Sequence, residues 1–169
     1  LQRDWSRLFS ALRSYGSAPA DAYGMQLTLG GPVQLGDEPL FDVYAPRIPA
    51  GRIYWRGVVF DRYDGAGWQN TDTSRLRVDA GSTWNRMTDD DLRAVFTQTV
   101  APLTPAATLI YGAQSLVSVS RSVEYVVSYA VEDAGLLDSM VQARVPIRPG
   151  DTYVVVSYIT QADPDSLRS

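Results

Sequence analysis

The chain has 169 residues, 45% of them hydrophobic and 20% charged, with a formal net charge of −4. That length suits one domain able to bury most of its unfolded surface without disulfides or metals, and the acidic balance argues against general nucleic-acid binding, which needs a basic face. Cys and His are absent and all 15 basic residues are Arg; Ser-His-Asp and Cys-His catalysis and lysine chemistry are therefore excluded, leaving carboxylates as the chain's own acid/base groups.

In chain order, residues 1–20 read as a short amphipathic helix and a linker. Trp5, Leu8, Phe9, Leu12 and Tyr15 form one apolar stripe, Asp4 suits its start and Gly16 its end. Such a stripe either docks on the domain's own core or lies near a membrane surface. No apolar run reaches the roughly 18 residues needed to span a bilayer.

Residues 21–160 shift to a period of two. Short strands are expected on either side of Gly30-Gly31-Pro32, and "RIYWRGVVF" reads as a long strand with Ile53, Trp55, Gly57 and Val59 on one face. "SRLRVDA" is a weaker strand. The segment "TWNRMTDDDLRAVFTQTV" is open between helix, through Thr88 and Asp91 as a capping box, and strand. "LIYGAQSLVSVS" and "SVEYVVSYAVE" read as strands, the second with Val123, Tyr125, Val127, Tyr129 and Val131 on one face. Pro149-Gly150 suits the centre of a type II turn before a β-branched strand. Residues 161–169 are polar and linker-like. The expected fold is mainly β, a β-sandwich-like domain of antiparallel strands with a short N-terminal amphipathic helix.

The chemistry-bearing residues concentrate in "YWRGVVFDRYDGAGW", residues 54–68. Asp64-Gly65 signals a tight turn needing positive φ, and Trp68 would return across a hairpin onto Trp55 or Tyr63. Alternatives are a sugar-stacking platform of Trp55, Tyr63 and Trp68, an acid/base pair of Asp61 and Asp64, or a calcium site, for which the loop lacks dense oxygen spacing. The Asp89-Asp90-Asp91 run reads as a solvated helix start. Arg52, Arg56 and Arg62 either meet an anionic partner or pair with surface carboxylates. No cofactor and no metal ligand is expected.

Two linked motifs carry a resemblance. "GGPVQLGDEPLFDV", with Gly30, Gly31, Pro32, Val33 and Leu35, precedes "IYWRGVVFDRYDGAGW", with Tyr54, Trp55, Arg56, Gly57, Tyr63, Asp64, Gly65 and Trp68. Together they resemble the region before the catalytic core in bacterial membrane-bound transglutaminase-like proteins of the TgpA type. The resemblance implies an extracytoplasmic domain following transmembrane segments and preceding a papain-like Cys-His-Asp core, toward which residues 161–169 would lead. A chain without Cys or His holds none of that triad. It implies a non-catalytic accessory domain whose motif residues are structural and whose partners are the downstream core and, through flanking segments, the membrane. The alternative is a module binding a cell-envelope polymer through Trp55, Tyr63 and Trp68.

Overall fold

The computed structural model describes residues 26–28, 39–47, 49, 53–71, 73–84, 93–103, 107–128 and 137–161. The expected N-terminal helix, the Gly30-Gly31-Pro32 turn, the Asp89-Asp90-Asp91 run, Arg52 and residues 162–169 lie outside them. All named strands pair antiparallel, as alternating patterns joined by short turns favour.

Two four-stranded sheets form the body. One has the order β10 (Ser115–Val119), β13 (Tyr153–Thr160), β7 (Arg93–Pro102) and β2 (Phe41–Tyr44). The other has the order β6 (Thr73–Val78), β11 (Val123–Ser128), β12 (Leu137–Ile147) and β8 (Ala107–Leu109). A small sheet joins β1 (Gln26–Thr28), β5 (Gly67–Gln69) and β4 (Arg62–Tyr63), and β3 (Trp55–Arg56) pairs with β9 (Gly112–Ala113).

The two large sheets share one core. Val100, Leu116, Val119, Tyr153 and Val155 from the first meet Val123, Tyr125, Val127, Val141, Ala143 and Ile147 from the second. This is the β-sandwich expected from the alternation of β-branched and polar residues, because each sheet buries one face against the other. Each fully buried Val or Ile contributes about 1.5–3 kcal/mol by leaving water.

Several expectations change in detail. The ambiguous segment becomes, from Arg93 onward, a ten-residue strand, because its alternate residues Phe96, Gln98 and Val100 are all buried. "SRLRVDA" contributes its first five residues to β6, all six residues of which pair with β11. "LIYGAQSLVSVS" is not one strand: β8, β9 and β10 divide it, and Gln114 bends the chain at φ 35°. "RIYWRGVVF" pairs as a strand only at Trp55–Arg56. Beyond Gly57 it leaves β9 and bridges Val58 to Met140 of the other sheet, so a single alternating face is not maintained. In β11, Val123, Tyr125 and Val127 are buried as expected, and Val126 and Ser128 on the opposite face are buried too, Val126 in a cluster with Leu109, Met140 and Val58 and Ser128 against Asp61. Gly150 has φ 93° and Asp151 N–H donates to the Arg148 carbonyl at 3.0 Å, closing the Pro149-Gly150 turn.

Candidate functional site

The aromatic stretch folds back as β4 and β5, with Tyr63 opposite Trp68. Asp64 makes the turn. Its Oδ1 accepts hydrogen bonds from the N–H groups of Ala66 at 2.9 Å and Gly67 at 2.8 Å, and its own N–H donates to the Gly67 carbonyl at 3.1 Å. Gly65 adopts φ 94°, where a side chain would be strained. The Tyr63 hydroxyl donates to the Gly65 carbonyl at 2.9 Å. The N–H donors of Ala66 and Gly67 hold the Asp64 carboxyl below the usual range, as hydrogen bonding to the charged form does.

Asp61 anchors the hairpin's base. It accepts from the Thr71 N–H at 3.0 Å, the Thr71 hydroxyl at 3.1 Å and the hydroxyl of buried Ser128. Partial burial pushes its carboxyl up, but the hydrogen bonds from Ser128 and Thr71 outweigh that and hold it low. Beside it, Asn70 Nδ2 donates to the hydroxyl of Ser139, which donates to the Val59 carbonyl at 3.3 Å. The two aspartates thus have separate structural partners and no shared hydrogen bond. A general acid needs a raised pKa; both shifts run the other way.

The three aromatics proposed as one platform are not together. Trp55 Nε1 donates to Gln98 Oε1 at 2.6 Å, and Gln98 Nε2 donates to the Ser157 hydroxyl at 3.1 Å. Gln98 and Ser157 are fully buried, so Trp55 is tied to a polar node inside the sandwich and packs with Phe96, Ala113 and Ile159. Tyr63 and Trp68 do meet, with ring centroids 5.2 Å apart and planes tilted by 38°. They are 50% and 40% exposed. Tyr54 is also exposed, with its carbonyl accepting from Gln114 N–H at 3.3 Å.

Gly57, Arg56 and Arg62 complete the described part of the stretch. Gly57 lies where a Cβ would come within 2.8 Å of Leu109 Cδ2 and 3.1 Å of Tyr111 Cε1. Arg56 is half-buried, pairs with Gly112 in the β3–β9 ladder and borders a pocket of about 10 Å³, room for one water at most. Arg62 is exposed on β4. Among the described residues no group of three His, Cys, Asp or Glu side chains gathers where it could hold a metal. Gln98, Ser128 and Ser139 escaped the sequence reading because their partners lie 43 to 80 residues away; a Gln within an alternating apolar strand was the available signal for the first.

Neither a curated protein nor a solved structure matches the chain. The family model described as the TgpA N-terminal domain matches residues 24–164, a span that holds both linked motifs, the aromatic hairpin and the whole sandwich. The chain belongs to the TgpA N-terminal domain family.

Proposed function

We propose that this domain is a non-catalytic accessory module of a transglutaminase-like protein, lying outside the cytoplasm, packing beside the catalytic core and positioning it relative to the membrane. The observation that carries the reading is the internal use of the motif's polar groups. Asp64 closes a turn, Asp61 clamps the hairpin to Thr71 and Ser128, and Trp55 pairs with buried Gln98. A sequence without Cys or His adds no triad of its own. The motif thus maintains a rigid β-domain, and the domain's contribution is its surface. The test compares the chain alone with the chain joined to the downstream core, by thermal melting and amide exchange. Packing requires a shifted melting transition and new protection on the β-domain; two independent transitions with unchanged protection would exclude it.

A second reading, binding of a cell-envelope polysaccharide, retains support at Tyr63 and Trp68, which remain exposed and adjacent. Trp55 is removed from that surface by its bond to Gln98. Carbohydrate stacking at the hairpin would change Trp68 fluorescence on titration with glycan, and Trp68→Phe would abolish the change. Unaltered fluorescence with envelope glycans would leave the accessory reading standing alone.

A further inference from the structure

We infer that the free edge of β6 is a docking strand for an extended segment of a partner protein with an acidic–apolar–acidic pattern. β6 pairs with β11 along all of Thr73–Val78 without a shift of register. Its other edge meets no strand among the described residues. In an antiparallel ladder alternate residues turn their N–H and C=O groups away from the paired side, so half of β6's backbone groups face outward along an edge without a bulge.

The two faces of that edge specify the added strand. Arg75 and Arg77 project on the outer face, their side chains 54% and 76% exposed. Both approach Glu124, at 3.2 and 3.9 Å, and Arg144 lines the same shallow depression with Arg77, Glu124 and Gln142. Two guanidiniums share one carboxylate and a third arginine borders the same depression, which leaves this face cationic in a chain of net charge −4. Between the two arginines, Leu76 shares the inner face with its buried cross-strand neighbour Tyr125, yet is 46% exposed. An added strand would place carboxylates beside Arg75 and Arg77 and an apolar side chain beside Leu76. Charge complementarity selects a partner segment over a second copy: antiparallel self-pairing about Leu76 would set Arg75 opposite Arg77 in both directions, and like charges directly opposed are destabilising.

The probe is a capped peptide of alternating Glu and Val, titrated into the isotope-labelled full chain and followed by NMR. The expected result is a shift of the amide signals of residues 73–78 with slowed exchange of the outward N–H groups. R75E with R77E should weaken binding by about tenfold or more and admit the corresponding Lys/Val peptide. The milder pair R75Q with R77Q, at exposed positions, should weaken it with the β6 amides otherwise unchanged. Any of three outcomes overturns the inference: no perturbation of β6 amides, equal binding of the Lys/Val peptide to the parent chain, or polygalacturonate moving the arginine side chains as strongly while the β6 amides stay still. The first of these, with self-association of the Arg→Gln pair, would mean that the arginines only guard the edge against aggregation.

Discussion

At the level of single residues, Asp61, Asp64 and Trp55 each commit their polar groups to hydrogen bonds inside the fold. Asp61 is the clearest case, because Thr71 and Ser128 both donate to it. Its folded carboxyl ionises below the ordinary value of 3.8, so its contribution is fully present above the unfolded value and is lost as pH falls through the folded one. Asp61→Asn should therefore destabilise the domain at neutral pH by about 1 kcal/mol, a modest figure because the carboxylate is partly in water. The difference from the parent should close in acid. Urea unfolding at neutral pH and at about pH 3 checks this; an undiminished difference in acid would show that the charge is not what Asp61 contributes. Trp55 makes the same point from the apolar side. Its indole fills a core cluster while its N–H satisfies Gln98, which would otherwise bury an unpaired oxygen.

At the level of elements, the chain from residue 53 to residue 71 stitches the two sheets together and then projects a hairpin. Trp55 and Arg56 pair with β9; Val58 bridges to Met140, and Val59 N–H donates to the Ser139 carbonyl at 2.8 Å. The crossover passes so close to Leu109 and Tyr111 that a Cβ at position 57 would have to displace the Leu109 side chain. Gly57→Ala should cost about 1–3 kcal/mol through overpacking, since Leu109 is buried and has little room to turn. Adding Leu109→Val to Gly57→Ala should give less than the sum of the two single costs, because the second change relieves the clash made by the first. Additive losses in chemical unfolding would remove the crossover contact as the cause. Gly65 differs in kind: its neighbourhood is open and only its φ of +94° restricts it.

At the level of the whole molecule, one shared core couples the sheets. Tyr153 sits in it, 1% exposed, and its hydroxyl accepts from the Tyr111 N–H at 3.0 Å while reaching the Tyr111 carbonyl at 3.4 Å. Burial raises its pKa, an effect the Tyr111 backbone partly offsets. Tyr153→Phe leaves the Tyr111 N–H without that acceptor and should cost about 1–3 kcal/mol. Because Val100 and Val155 of one sheet pack with Val123 and Val141 of the other, the loss should lower the melting of both sheets together. Far-ultraviolet dichroism and tryptophan fluorescence, to which Trp55 and Trp84 contribute from different core clusters, should give coincident transitions in parent and variant. Separate transitions would mean that the sheets are independent units.

The period-two alternation, Asp64-Gly65 and Pro149-Gly150 determined the β class and two turns, because strand alternation and turn chemistry are local and need no knowledge of distant neighbours, whereas the fold chose Tyr63 over Trp55 as the ring that meets Trp68. The two linked motifs likewise sufficed to indicate the family. Long-range pairing was decided elsewhere. Whether Trp55 faced solvent or the core, which donors Asp61 would meet, and where "LIYGAQSLVSVS" would break depended on residues brought together across the fold. A short apolar run carries the same alternation whether it joins one sheet or crosses between two, and a carboxylate becomes an acid, a base or a cap according to the donors that surround it. The tertiary structure supplied those donors and left β6 with one edge paired and the other bare among the described residues.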